Sequence, residues 1–254
     1  MGAIRPGGGG GASSVAAADI TDSTATGRAL VTAANAAAAR TAISAAQDGA
    51  PPTVLSDALD GDGWDSNSAT GSAVASWETS PARLSLTCPL GSAASCGVHA
   101  EGYVDSPVWG DLAIRIDVVV GDGSSAGRIG FAVGQSPTAN VSINLWPNSN
   151  VECGHYGSGS FTSLATVAGP DSGQRTGGQL WLKISRTPGA VSFAWGVGSG
   201  GELPEQWTTT AISTSTTVLD RASGTYVEIF GLTTVSAAVT ADVLDVKQGL
   251  PGAF

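Results

Sequence analysis

The chain has 254 residues, rich in glycine (36) and poor in charge (13%), with a net charge of −10. Its eleven basic residues form no cluster, and Lys183 and Lys247 are the only lysines, which speaks against direct contact with nucleic-acid phosphates. No apolar run approaches the ~18 residues of a membrane helix, and an odd count of three cysteines argues against a disulfide-built fold.

Residues 1–18 are a Gly/Ala-rich arm with five consecutive glycines, Gly7 to Gly11. Such a segment is flexible by itself, or orders as an extended arm gripped by a partner. The start lacks a signal-peptide apolar core, so synthesis in the cytoplasm is expected. Residues 19–52 are dominated by alanine, which favours a helix. Thr26, Thr32 and Asn35 are candidate N-caps, and Pro51-Pro52 ends the segment. An isolated helix of this length is marginal in water. Its apolar payload is small, so Ile20, Leu30, Val31, Ala34, Ala38 and Ile43 are expected to pack on sister copies or on a neighbouring protein.

Residues 53–254 read as all β. Leu112, Ile114, Ile116, Val118 and Val120 alternate with Arg115 and Asp117. Ile129, Phe131 and Val133 follow, then Val141, Ile143 and Leu145, then residues 161–167. Leu180, Leu182 and Ile184, the run from Val191 to Val197, and residues 226–232 and 242–247 complete the pattern. Period-2 alternation between Gly/Ser/Pro turns predicts two packed antiparallel sheets.

Two resemblances add to this reading. The order Ile20-Thr21-Asp22-Ser23-Thr24-Ala25-Thr26-Gly27-Arg28-Ala29-Leu30, then an alanine run closed by Arg40-Thr41-Ala42, resembles a segment of tailed-bacteriophage fibre and spike proteins. The resemblance implies a symmetric, trimeric virion part anchored near its N-terminus. Residues 55–250 resemble concanavalin A-like (laminin G-type) sandwiches. The features that carry this are Asp62-Gly63-Trp64, Gly110-Asp111-Leu112, the hairpin from Leu180 to Phe193, Trp207 and the closing strand from Ala241 to Val246. The implied fold is mainly β: a concanavalin A-like or jelly-roll sandwich, preceded by an Ala-rich helical connector and an extended arm.

Catalysis finds little support in the sequence. Gly123-Ser124-Ser125-Ala126-Gly127 fits G-x-S-x-G, but joins two strands where a nucleophile elbow needs a strand and a helix. The Glu-x-Asp-x-x-Glu spacing of glucanases that share this fold is absent. Asp105, Asp111, Asp117, Glu152 and Glu228 read as scattered, solvated acids. No enzyme is expected. Asp57, Asp60, Asp62 and Asp65 form an oxygen-rich loop that suits Ca2+ only weakly, since Asp-Gly pairs favour turns anyway. Trp146, Asn148, His155 and Tyr156 are the candidate carbohydrate-binding patch, because aromatic faces stack on sugar rings. Cys88 and Cys96 lie close enough in sequence to bridge a loop if oxidised.

The expectation is thus a structural protein on the surface of a phage virion. It would be a homotrimeric head fibre or capsid decoration protein that joins capsid or tail proteins through residues 1–50. Its distal sandwich would be able to bind a bacterial surface glycan. A tail fibre or a virion-borne glycan-degrading enzyme is the alternative.

Overall fold

The computed structural model describes residues 55–57, 59–66, 69–89, 94–100, 110–121, 127–146, 148–233, 238–249 and 252–254. The expected arm and helical connector (residues 1–52), Asp105 and most of the G-x-S-x-G string lie outside the described residues. The rest belongs to one unit, Thr53–Phe254. Its strands are β1 (Leu55–Ser56), β2 (Asp65–Ser66), β3 (Val74–Thr79), β4 (Ala82–Cys88), β5 (Ala94–Ala100), β6 (Gly110–Gly121), β7 (Arg128–Ser136) and β8 (Ala139–Leu145). There follow β9 (Asn150–Gly157), β10 (Ser160–Ala168), β11 (Leu180–Thr187), β12 (Ala190–Val197), β13 (Thr208–Ser213), β14 (Tyr226–Thr233) and β15 (Val239–Gly249). Helix α1 (Ser172–Arg175) follows β10, and α2 (Thr216–Ala222) follows β13.

Among the described residues these strands make two antiparallel sheets. One runs β13-β12-β11-β6-β15-β4-β3, with β1 added on β15. The other runs β10-β9-β8-β7-β14-β5-β2. The expected mainly-β sandwich is what the chain forms. Alternation decides the core: Leu112, Ile114 and Ile116 pair with Ile184, Leu182 and Leu180 in the first sheet. Ile129, Phe131 and Val133 pair with Leu145, Ile143 and Val141 in the second. All twelve are at most 2% exposed and belong to a single core cluster, the strong desolvation that holds two sheets face to face.

Two features depart from the sequence pattern. Gly154-His155-Tyr156 reads as loop, yet it lies within β9, laddered to β8 on one side and β10 on the other. Two flanking ladders override weak local propensity. Helix α2 begins with β-branched Thr216, Thr217 and Val218 and is too short to stand alone. Its partners hold it. Val218 and Ala222 are buried, and the helix packs on β7, β8, β9 and β12, closing one end of the sandwich. Arg186 of β11, 2% exposed, donates to the carbonyls of Ala222 (3.0 Å) and Gly224 (2.9 Å), which the helix end would otherwise leave unpaired. Burial lowers its pKa to about 10.

Candidate functional site: a groove on the seven-stranded sheet

In β8 the apolar residues Val141, Ile143 and Leu145 face the core, so Asn140, Ser142 and Asn144 face the other way. The register extends this outer face into rows. Tyr226, Gly134, Asn140, Tyr156 and Phe161 form one row. Glu228, Ala132, Ser142 and Gly154 form the next, and Phe230, Gly130, Asn144, Glu152 and Thr166 a third. The middle strands thus carry glycine, alanine, serine and asparagine, while larger side chains stand at the sides.

The result is a groove of about 400 Å³, lined by Arg128, Asn140, Ser142, Tyr156, Phe161, Glu228 and Phe230, and also by Ser95, Cys96 and Gly231. Glycine is required at 154: a Cβ there would lie 2.3 Å from the Thr162 carbonyl oxygen and 2.5 Å from the Phe161 ring. Arg128 joins this groove to a second cleft. Its guanidinium carbon sits 5.4 Å from the Trp146 ring centroid and 5.5 Å from that of Phe161, within cation–π range. Its Nη1 lies 3.8 Å from Glu152 Oε2, and Trp146 Nε1 donates to that same oxygen at 3.2 Å. Burial pushes the Arg128 pKa down, and the Glu152 and Tyr156 charges oppose that shift. Arg128 Nε and Asn144 Oδ1 are buried and have no hydrogen-bond partner among the described residues.

The second cleft, of about 300 Å³, is lined by Trp146, Asn148, Asn150, Glu152 and Thr166. It lies at the β8–β9 turn. Trp146 N donates to Asn150 O, Ser149 N donates to Trp146 O, and Asn148 Oδ1 accepts from Asn150 N. Ser149 takes a left-handed φ of 65° to close the turn. The four residues singled out from sequence therefore do not form one cluster. Trp146 and Asn148 share this cleft, and Tyr156 lines the larger groove. His155, by alternation along β9, faces the opposite way from Tyr156. Burial first, and then the Arg221 charge of α2, hold its pKa down. Arg221 itself donates to Tyr156 O at 2.8 Å.

Other residues read as candidates in the sequence sit elsewhere. Asp57 accepts from Leu59 N and Trp64 Nε1, and Asp60 accepts from Asp62 N, so these carboxylates are used in closing a turn. Among the described residues no three His, Cys, Asp or Glu side chains come together to hold a metal. The reading of scattered, solvated acids also needs correction. Asp111 is 2% exposed, and burial raises its pKa. Glu152 is tied to Arg128 and Trp146. Sequence reasoning missed Arg128, Phe230 and Glu228 as groove residues. One signal was present: the outer side of β8 is uncharged and polar, where a solvated face usually carries charges.

This architecture is a concanavalin A-like, lectin-like β-sandwich. No protein-family model and no curated protein matches the sequence. Among solved structures, the chain is similar to the VIP36 exoplasmic/lumenal domain in its Ca2+-bound form, with 11% identity, a TM-score of 0.51, and coverage of 74% of this chain and 83% of that one. It is similar to the same domain in its Ca2+/Man-bound form, with 12% identity, a TM-score of 0.50, and coverage of 77% and 88%. It is also similar to the GH43 protein BlXynB from Bacillus licheniformis (K247S mutant), with 15% identity and a TM-score of 0.53 over 77% of this chain. The match spans only 39% of that longer chain. At these identities the likeness is one of fold. It nevertheless corrects the expectation that the chain is no enzyme, because the sandwich is shared with a glycoside hydrolase as well as with non-enzymes.

Proposed function

We propose that this chain is a glycan-binding structural protein of a tailed-phage particle, with the groove on the seven-stranded sheet as the sugar site. One observation carries the binding reading. A floor of Ala132, Ser142 and Gly154 lies between the rings of Phe161, Tyr156 and Phe230, with Arg128 and Glu228 beside it. Rings offer flat apolar faces to a pyranose, and the polar groups match its hydroxyls. The unpaired Nε of Arg128, a residue that lines the groove, is a donor of the kind a hydroxyl or a bridging water satisfies. The VIP36 domain has been crystallised with Ca2+ and Man on the same kind of sandwich, which supports the reading by analogy of fold.

The virion assignment rests on the fibre-like order of residues 20–42. In this reading residues 1–50 anchor the chain to a capsid or tail protein, the alanine-rich segment assembles three copies, and the sandwich faces the host. Three weak sites then act together through effective concentration. The full chain, applied to an array of bacterial O-antigen and capsular oligosaccharides, should bind a subset at micromolar protein. A blank array overturns the binding reading. Reducing ends released during incubation would add catalysis to binding. Light scattering should give the mass of a trimer, and deletion of residues 19–46 should reduce it to a monomer. An unchanged mass contradicts the assembly proposed here.

A further inference from the structure

The strongest unassigned chemistry lies between the sheets. Cys88 ends β4 in one sheet, and Cys96 lies in β5 of the other. Their Sγ atoms are 3.5 Å apart, and the residues are 1% and 3% exposed. Gly231, opposite Cys96 in β14, makes the room: a Cβ at 231 would lie 3.2 Å from Cys88 Sγ. Reaching a bonded S–S of ~2.05 Å needs only about 1.5 Å of closure, shared by two side chains.

We propose that Cys88 and Cys96 are a disulfide site that staples the two sheets when the chain meets a small-molecule disulfide oxidant. The two thiols also differ in acidity: the hydrogen bond to Cys88 lowers the Cys96 pKa, and the Cys88 thiol is pushed up. The overall balance is the same whichever sulfur attacks first, and Cys96 serves as the example. Its thiolate attacks one sulfur of the oxidant RSSR, forming a Cys96–SR mixed disulfide and expelling RS⁻, which takes up a proton. Cys88 then loses its proton, attacks Cys96 Sγ and expels the second RS⁻, which is protonated in turn. Two protein thiols are oxidised to one disulfide, and RSSR is reduced to two RSH. Local opening at the strand ends admits the reagent. Cys153 takes no part. It is fully buried on β9, and burial raises its pKa to about 12.

The test uses the full wild-type chain held in oxidised glutathione, then unfolded in the presence of an alkylating agent and mapped by mass spectrometry. The expected product is a linked peptide pair containing Cys88 and Cys96, with Cys153 alkylated. The oxidised form should melt about 5 °C higher than the reduced form, because the link constrains the unfolded chain. Cys153→Ser should give the same linked pair. Alkylation of both Cys88 and Cys96 after prolonged oxidation overturns the proposal, as does a link that includes Cys153. Cys96 and Gly231 also line the groove, but the glycan reading rests on its rings and on Arg128 and is read separately, on the oligosaccharide array.

Discussion

The two outer faces of this sandwich are built from the same ladder geometry and meet opposite fates. On the eight-stranded sheet the chain fills its own surface. Trp181 of β11 is fully buried on that face, with the Arg115 and Lys247 cations each 5.9 Å from its ring. The segment after β12 folds against it, held by Gly198 N donating to Gln179 O at 2.8 Å. Nearby, Lys183 Nζ stands 4.3 Å from the Trp207 ring and donates to Phe254 O, while Gly252 N donates to Asp111. On the seven-stranded sheet the equivalent positions are Ala132, Ser142 and Gly154, and about 400 Å³ stays open above them. The lesson is that a tryptophan is no marker of a binding face. Trp181 is packing, whereas the open face is identified by what its middle strands omit.

Substitutions can break this comparison from either side. The largest effect is expected from Trp181→Ala, which removes a fully buried ring and should cost about 4 kcal/mol of unfolding free energy in a urea titration. The folded fraction should keep its glycan affinity. Arg186→Met comes next. It leaves the Ala222 and Gly224 carbonyls unpaired and should cost about 2–3 kcal/mol, with hydrogen exchange speeding up first in α2. Phe161→Ala inverts the pattern: stability should change by no more than about 1 kcal/mol, while affinity for an array-positive oligosaccharide falls about tenfold by calorimetry. If Trp181→Ala abolished binding in the folded fraction and Phe161→Ala spared it, the roles of the two faces would be reversed.

The smallest effect concerns pH. The His155 pKa is held below 6.5 by burial and by Arg221. The unfolded chain therefore takes up this proton before the folded chain does. Stability from this residue is fully present above about pH 6.5 and declines as pH falls through that value. His155→Gln should flatten the slope of the urea midpoint between about pH 5 and 7; an unchanged slope would mean that the ring is as free in the fold as in the unfolded chain.

Much of the fold was legible because alternation is a strong signal where β-branched and leucine residues carry it. Leu112 to Val120 and Leu180 to Ile184 announce their strands without help. Strands β5 and β9 were hidden for a physical reason: Ala94-Ser95-Cys96-Gly97 and Cys153-Gly154-His155 have small or polar side chains, and only the neighbouring ladders make them extended. The site was half legible. Trp146 and Tyr156 stood out as aromatics near polar turns, but sequence order placed them in one patch, whereas the register distributes them between two clefts. Arg128 and Glu228 could not be found by proximity in sequence, since β7, β9 and β14 converge only through pairing.

The most direct measurement is hydrogen–deuterium exchange on the full chain, with and without a saturating array-positive O-antigen or capsular oligosaccharide. Added protection should concentrate in peptides from β7, β8, β9, β10 and β14, around Arg128, Ser142, Tyr156, Phe161 and Phe230. Protection confined to the Trp181, Lys183 and Trp207 side of the sandwich would contradict the assignment of the open face as the sugar site.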